Sequence, residues 1–382
     1  MSLFAGISML GVLAVSCGGT AAKPRGWAEP IESGKTVMVS SSRGKISGID
    51  SDTNLLKWQF PNSWDIQGDK PDLKGIYGAP VVASDGNTTF VADYNGVLYT
   101  FNQNEGTVSG DKKPATGLNL GEPVIGGIAL NKTNNSLFVT SGPRLVKLSY
   151  KAGSPPTLDP DETWSVKTGA DIWGVPVLNG DRVLFTSLDG KLYSVDQNDS
   201  SKRWEFAPDD SGLVSTPSII GNTVYVGGFD SKLHAVDLAT GESKWSFSAT
   251  YWVWSTPIAD GSNVIFGDFN GRLFAVNQSN GSETWRLDLG KGPIVGAPAL
   301  VQGTLVVSTE DGWLVGIDAS NRQTKWEIDL PTGFTADLVA TTSGTVLIAP
   351  RGCVTPEGFE QKTYYYAVNP ANGELKEAQN LC

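Results

Sequence analysis

Short apolar segments with period-two alternation dominate the chain, and turn residues separate them. Residues 223–226 are β-branched or aromatic after the Gly221-Asn222 turn, residues 233–237 alternate apolar and polar side chains, and residues 244–247 do so again. Such alternation is typical of β-strands, because successive side chains of a strand point to opposite faces. No stretch after residue 20 shows a sustained 3.6-residue apolar period, so the pattern predicts an all-β protein.

These strands belong to a sequence phrase that recurs every 40 or 41 residues. The phrase begins with a small residue, any residue and Pro, continues through strands divided by Gly or Asn turns, and ends at Trp. The Pro residues of the clearest copies step by 41, 40 and 41 residues, and the Trp residues do the same; these copies are residues 174–204, 215–245, 255–285 and 296–326. Four short strands in about 40 residues are typical of one blade of a β-propeller.

A short motif recurs as a mark at the end of each predicted third strand, and the number of its copies gives the number of blades. The eight marks are Gly48-Ile49-Asp50, Thr100-Phe101-Asn102, Lys147-Leu148-Ser149, Ser194-Val195-Asp196, Ala235-Val236-Asp237, Ala275-Val276-Asn277, Gly316-Ile317-Asp318 and Ala367-Val368-Asn369. First-strand marks agree: Pro30, Pro80, Gly126-Gly127, Pro176, Pro217, Pro257, Pro298 and the degenerate Ala336-Asp337. The sequence therefore predicts one domain over residues 27–382, an eight-bladed β-propeller with four-stranded antiparallel blades.

The acidic composition of the chain limits the kinds of molecule that it could bind. The formal net charge is −11 and the isoelectric point is about 4.7. Nucleic-acid binding needs a basic stripe, which the sequence lacks, and an acidic surface disfavours anionic membranes and polyanionic substrates. We expect no nucleic-acid partner.

The first residues resemble an export signal. Residues 3–15 form an apolar run too short to span a bilayer, and residues 13–19 resemble a bacterial lipobox, with Ala14 where Leu is usual and no basic residue before the run. We expect a signal peptide at residues 1–16, lipid on Cys17 and a leader at residues 17–26. A plain secretory signal, or neither, is the alternative.

If Cys17 carries lipid, two cysteines remain, and they could form one disulfide outside the cytoplasm. Cys353 lies in an extra loop of the eighth unit and Cys382 is the last residue. We find no spare strand before Trp27 that could complete the last blade, so a Cys353–Cys382 disulfide is expected to staple this blade instead. Closing such a loop is worth about 3–4 kcal/mol in the chain-entropy model. Two free thiols are the alternative.

One copy of the phrase carries a family resemblance. Residues 235–245 match A-x-D-x-x-T-G-x-x-x-W, which resembles the tryptophan-docking repeat of pyrroloquinoline-quinone (PQQ) propellers. The resemblance covers about residues 27–378 and implies that one Trp in each of six blades docks against the neighbouring blade. These structural residues are Trp58, Trp164, Trp204, Trp245, Trp285 and Trp326.

Catalytic members of that repeat family use features that this sequence lacks. Quinoprotein alcohol dehydrogenases are similar in fold, but they use PQQ, Ca²⁺ and an Asp base, and many have two adjacent Cys residues. Here no Cys pair is adjacent, the acidic residues 50–52, 159–162 and 209–210 sit at predicted turns, and His234 lies in mid-strand. No phosphate-binding loop or nucleophile elbow is present either. We expect no catalytic residues, no metal, neither PQQ nor Ca²⁺, and no enzyme activity.

The closer resemblance is to the non-catalytic BamB lipoproteins of this repeat family. It implies a membrane-anchored extracytoplasmic scaffold for protein–protein interaction, at the periplasmic face of an outer membrane or at the cell surface. The implied partner is a subunit of the outer-membrane β-barrel assembly machine, and the propeller is expected to be monomeric. The family's Leu/Arg-rich partner segment has its nearest counterpart in residues 209–217, which contain no Arg and one Leu. The partner site is therefore not transferred.

Binding of a ligand, or a PQQ-dependent quinoprotein-like role, is the alternative function. Three residues before each inner Pro or its counterpart, the chain places Trp27, Tyr77, Ile125, Trp173, Val214, Trp254 and Val295. Because inner strands line the channel of a propeller, these positions predict an aromatic-rimmed funnel for a peptide strand, a glycan or a small ring. Its candidate binding residues are Trp27, Tyr77, Trp173, Trp252 and Trp254; packing of these rings between blades is the alternative.

The outermost strands offer another mode of binding. The fourth strand of each blade exposes backbone groups that can pair with an added strand. This mode predicts partners recognised by backbone more than by sequence.

Overall fold

The structure, a computed structural model, describes residues 28–40, 45–53, 55–60, 73–102, 117–151, 157–330, 333–349 and 366–377. The signal peptide at residues 1–16, the leader at residues 17–26, Cys17, Trp27, Cys353 and Cys382 lie outside the described residues. The expectations about lipid attachment and the disulfide therefore stay predictions.

Eight four-stranded antiparallel sheets form the described part of the chain, and each sheet uses four consecutive strands. The first four blades comprise Ile31–Ser33, Thr36–Ser40, Ile46–Asp50 and Leu56–Phe60; Val81–Val82, Thr88–Ala92, Val97–Asn102 and Leu118–Asn119; Ile128–Asn131, Ser136–Ser141, Arg144–Lys151 and Thr157–Lys167; and Val177–Asn179, Arg182–Ser187, Lys191–Asp196 and Lys202–Phe206. The prediction of an all-β propeller with eight blades is confirmed.

The last four blades follow the same order of strands. They comprise Ser218–Ile220, Thr223–Gly227, Lys232–Asp237 and Ser243–Ser248; Ile258–Asp260, Asn263–Gly267, Arg272–Asn277 and Glu283–Asp288; Ala299–Val301, Thr304–Ser308, Trp313–Asp318 and Thr324–Asp329; and Val339–Ala340, Val346–Ile348, Tyr366–Val368 and Leu375–Glu377. Among the described residues, no helix has the length and apolar character needed to span a bilayer.

The position of a strand within its blade explains its residue pattern. In blade 5 every residue of Thr223–Gly227 is buried, whereas Ser243–Ser248 alternates between exposed and half-buried side chains. A second strand is covered by a neighbouring blade on each face, so its side chains are buried and its central residues are apolar. The fourth strand lies at the outer edge, so its pattern returns to period two.

In six of the eight blades, a docking Trp contacts the next blade. Trp204 Nε1 donates to the carbonyl oxygen of Leu238 in blade 5 at 3.2 Å, and Gly241 of the same turn lies against the indole face. Ala235, opposite Trp245, is followed by a register shift that lets the bulky indole fit the ladder. Equivalent N–H···O contacts join Trp164 to Asp196, Trp245 to Gln278 and Trp326 to Pro370, at 3.1, 3.0 and 2.9 Å.

The other two docking residues meet different partners in the next blade. Trp58 lies edge-on to Phe101 of blade 2, with the ring centroids 5.3 Å apart. The Arg322 guanidinium of blade 7 lies over the Trp285 ring, 5.0 Å from its centroid. Each of the six predicted docking residues therefore interacts with a residue of the blade that follows it.

The ring closes where blade 8 meets blade 1. Val37, Val39 and Ile49 of blade 1 pack against Leu347 and Ala349 of blade 8 in one buried cluster. Across the same seam, the Thr342 backbone N–H donates to Glu32 Oε2 at 3.0 Å. Among the described strands, neither blade borrows one from the other end of the chain, so side-chain packing closes the ring.

Candidate functional site

A central cavity marks the axis of the ring, because all eight blades contribute to its lining. Its free volume is about 60 Å³, which is room for a few water molecules or a group of similar size. Two register positions supply most of the lining. One lies three residues before the inner Pro, as in Trp173 and Trp254, and the other lies directly before the Pro, as in Glu29 and Thr256.

The structure brings three of the predicted funnel aromatics to this cavity. Trp173 of blade 4 and Trp254 of blade 6 stack on each other, with ring centroids 5.7 Å apart and an interplanar angle of 30°. They meet across blade 5 because the equivalent residue there is Val214, whose small side chain leaves room. Tyr77 also lines the cavity, although its ring is mostly buried and lies 5.5 Å from that of Tyr94.

Trp252, the remaining described candidate, lies outside the cavity lining and belongs to a surface that we call the aromatic platform, formed by Phe229, Tyr251, Trp252 and Phe269. Trp252 lies 4.9 Å from Tyr251, 5.1 Å from Phe229 and 5.6 Å from Phe269, centroid to centroid. Tyr251 is 43% exposed, and among the described residues only Leu55 and Leu56 are large hydrophobic residues of comparable exposure. Phe229 also contacts Trp254 at 6.0 Å, so the platform continues to the rim of the cavity.

Backbone hydrogen bonds fix the platform loops. Phe269 N donates to Trp252 O at 2.9 Å, and Val253 N donates to Gly228 O at 3.1 Å. Asp268 accepts hydrogen bonds from the backbone N–H groups of Asn270 and Arg272 at 3.0 and 2.9 Å. The rings are therefore presented on a preorganised surface, which lowers the entropy lost on binding.

Two carboxyl groups face the cavity, one from each side of the seam. Burial, and then the charge of Asp337, raise the pKa of Glu29 from 4.5 to about 8. Burial also raises the pKa of Asp337, but Asp337 Oδ1 accepts a 2.6 Å hydrogen bond from Ala297 N, and the Thr256 hydroxyl also donates to it. Because these bonds favour the ionised form of Asp337, Glu29 carries the proton at neutral pH.

Sequence reasoning missed this carboxyl pair. Both residues occupy the position directly before the inner Pro or, for Asp337, before Leu338, which replaces that Pro. The sequence does show a carboxyl residue at this position in both the first and the last unit. It indicates a carboxyl pair only when the ring is closed, because closure makes those two units neighbours.

His234, the single His of the chain, is tied to a carboxylate. His234 Nε2 lies 2.7 Å from Asp230 Oδ2, and the two side chains are only 3% and 4% exposed. Burial opposes ionisation of Asp230, but hydrogen bonds from His234 and from the Lys232 backbone hold its pKa below the ordinary value. The pair fixes the turn between the second and third strands of blade 5. Within the described ranges, no group of three or more His, Cys, Asp or Glu residues could hold a metal ion.

Within residues 209–217, the nearest counterpart of the family's partner segment, the apolar residues turn inward and Asp209 and Asp210 are exposed. Leu213 is fully buried and forms an isolated bridge with Gly228, and Val214 is buried as well. The one Leu of residues 209–217 therefore packs inside the propeller, and a partner cannot use it as a surface anchor.

Comparison with solved structures places the fold among propellers of diverse origin. BamB from Moraxella catarrhalis superimposes with a TM-score of 0.64 at 16% identity, over 92% of this chain and 94% of that one. The computationally designed Ika8 protein matches with a TM-score of 0.64 at 14% identity, over 88% and 95%. Sqt1 of Saccharomyces cerevisiae gives 0.69 at 12% identity, over 94% and 97%. At these identities the likeness shows the fold alone.

Comparison of sequences gives the family. No curated protein matches the chain. The family model described as outer membrane protein assembly factor BamB matches residues 115–251 and 245–381, well over half of the chain. This match extends across blades 3 to 8 and agrees with the eight-bladed ring, so the chain belongs to the family of the outer membrane protein assembly factor BamB.

Proposed function

We propose that the chain is a non-catalytic, monomeric propeller, anchored through lipid on Cys17 outside the cytoplasm, that docks a protein partner during assembly of outer-membrane β-barrels. The family match over residues 115–381 carries this proposal. The fold supports it, because BamB from Moraxella catarrhalis covers 92% of this chain and the ring is therefore retained as a whole.

The aromatic platform is the docking surface that the geometry favours. Interfaces concentrate their binding energy in a few aromatic anchors that are held rigidly before the partner arrives. Tyr251 and Trp252 meet both conditions, since Tyr251 is 43% exposed and the Trp252 carbonyl is bound by Phe269 N at 2.9 Å. Residues 209–217 offer no such anchor.

The chemistry of the described lining supports a role that does not use PQQ. PQQ is a fused tricyclic tricarboxylate, and a site for it would need positive charge. The described lining offers Glu29 and Asp337 and no Lys, Arg or His. The two carboxyl groups would repel such an anion. Ca²⁺ takes six to eight oxygen ligands, more than this pair supplies.

Crosslinking of the intact protein in its own membrane, followed by affinity purification and mass spectrometry, tests the function. We expect a subunit of the barrel assembly machine to be recovered with the wild-type protein. The double variant Tyr251→Ala, Trp252→Ala should recover about 30-fold less, because losing a central aromatic anchor costs about 2 kcal/mol or more.

Leu56→Ala serves as the matched control, since Leu56 is 47% exposed on the outer strand of blade 1. It should leave the recovery unchanged. Recovery of lipid and the chain alone would contradict the docking role. Equal recovery with the platform variant and the wild type would place the docking surface elsewhere on the ring.

A further inference from the structure

Within the described lining of the central cavity, no basic side chain faces the carboxyl pair. The titratable groups of the described lining are Glu29, Asp337 and Tyr77, and no basic side chain accompanies them. Two neighbouring carboxyl groups in a half-buried cavity are costly to ionise together without a counter-charge, so a proton or a cation accompanies the second negative charge. A bound cation could take the place of that proton.

Aromatic faces line the same space. Trp173 and Trp254 stack at 5.7 Å on the wall made by blades 4 to 6, while the carboxyl groups come from blades 1 and 8. Indole faces attract cations, most strongly where water is excluded. A cationic group in the cavity would therefore be flanked by carboxylate oxygens and by aromatic rings.

Two buried polar atoms of the lining also have unused hydrogen-bonding capacity. Thr335 Oγ1 and Trp173 Nε1 have no hydrogen-bond partner among the described residues. Buried polar groups are seldom left unpaired, and an exception calls for a water or a ligand. Thr335 Oγ1 can accept from an N–H donor, while Trp173 Nε1 can donate to a water held beside it.

We propose that the central cavity binds a small nitrogen cation, a guanidinium or alkylammonium head group, between the Glu29–Asp337 pair and the Trp173–Trp254 stack. The free volume of about 60 Å³ suits a head group of a few heavy atoms. Several N–H donors can satisfy the carboxylates and Thr335 together, and a planar guanidinium also matches an indole face. Binding displaces the proton of the pair to solvent, so the protein gains one cation and releases one proton.

Calorimetric titration of the full chain with methylguanidinium tests the site. We expect saturable one-to-one binding, with proton release seen as a heat that depends on the buffer. Because Glu29 holds its proton until about pH 8, the apparent dissociation constant should tighten about tenfold from pH 6 to pH 7. A folded wild-type protein that shows no saturable binding from pH 6 to pH 9 overturns the proposal.

Isosteric variants separate the site from the fold. Glu29→Gln and Asp337→Asn should each weaken methylguanidinium binding at least tenfold, and Glu29→Gln should abolish the proton release. Glu374→Gln, on an exposed turn of blade 8, should bind as the wild type does. Thermal melts establish that each variant is folded, and unchanged binding by folded Glu29→Gln and Asp337→Asn together contradicts the site.

A blocked tripeptide, acetyl-Gly-Arg-Gly-amide, distinguishes the two sources of such a group. Competition with methylguanidinium would show that the cavity admits an Arg side chain of a protein. Exclusion of the peptide, with methylguanidinium still bound, would assign the site to a free small molecule. Both results support the cavity as a cation site, whatever the outcome of the docking experiment.

Discussion

Glu29 links protonation of the cavity to the stability of the fold. Its pKa is raised from 4.5 to about 8 in the folded protein, so between these values the folded state keeps a proton that the unfolded state has lost. The free energy of unfolding therefore falls as pH rises through this window, by up to about 1.4 kcal/mol per pH unit. The contribution is fully present below pH 4.5 and is lost above about pH 8.

Replacing Glu29 by Gln should remove most of this dependence. Urea denaturation at pH 5 and pH 7.5 should show a smaller loss of stability for Glu29→Gln than for the wild type, because Gln carries no titrating proton. Glu374→Gln, at an exposed turn, is the control and should follow the wild-type profile. Identical profiles for Glu29→Gln and the wild type would contradict the assignment.

Arg322 occupies a position that blades 5, 6 and 8 give to Gly. Its φ is +70°, and the equivalent Gly241 and Gly281 have φ of +77° and +69°. A Cβ at such φ costs about 1 kcal/mol. Arg322→Gly should therefore be more stable than Arg322→Ala by about 1 kcal/mol in chemical denaturation, since both variants lose the same contact with Trp285. Equal stability would mean that the backbone relaxes at this turn.

At this scale the sequence predicted some site residues and missed others for a physical reason. Tyr77, Trp173 and Trp254 share one offset from the inner Pro, so the repeat alone could place them around one channel. Glu29 and Asp337 stand 308 residues apart, and neither belongs to a catalytic motif. Only the closed ring makes them neighbours, and burial together with the charge of Asp337 raises the pKa of Glu29.

At the scale of the element, the docking turn determines how blades join. Gly241 has φ of +77°, and a Cβ built there would lie 2.6 Å from Trp204 Cδ2, whereas Gly261, with φ of +57°, has nothing within 4 Å. Both positions lie in the left-handed region, so replacement by Ala strains the backbone at each. Only Gly241 also supports the indole of the preceding blade.

The two substitutions should therefore differ in their effect on stability. Gly261→Ala should cost about 1 kcal/mol through backbone strain alone, and Gly241→Ala about 1–3 kcal/mol more because the indole must move. Unfolding in guanidinium chloride measures both. An equal loss in the free energy of unfolding for the two variants would show that the Trp204 indole moves at little cost.

The strands themselves were predictable because the pattern repeats. Four similar copies fix the register of strands such as Thr223–Gly227 and Lys232–Asp237, and the marks then extend to the irregular units. The pinned loops of the aromatic platform were not predictable, because hydrogen bonds such as Phe269 N to Trp252 O connect residues that no periodic pattern relates.

At the scale of the whole molecule, the seam differs from every other blade interface. Leu347 packs against Val37 and Val39 of blade 1, and Ile265, at the same register in blade 6, packs against Leu305 of blade 7. Blades 6 and 7 stay joined by residues 289–298 when their interface opens. Blades 8 and 1 are joined only through the remainder of the ring, so their effective concentration after opening is lower.

Alanine at these two positions should separate the effects. Leu347→Ala and Ile265→Ala should each cost about 2–5 kcal/mol through a cavity. Hydrogen exchange should then rise selectively in blades 1 and 8 for Leu347→Ala, because the seam opens locally before the ring unfolds. With Ile265→Ala, we expect exchange to rise across the ring more evenly. Similar exchange maps for both variants would argue against a weak seam.

The seam also affects the order in which the blades can fold during synthesis. Each blade is one uninterrupted stretch of chain, so the blades can fold in turn as the chain emerges N-terminus first. Blade 1 nevertheless cannot bury its outer face before blade 8 has been made. Until then, the apolar side chains of Val37, Val39 and Ile49 are exposed to water. A nascent ring of seven blades therefore keeps an exposed apolar edge, which favours aggregation until the last blade has folded.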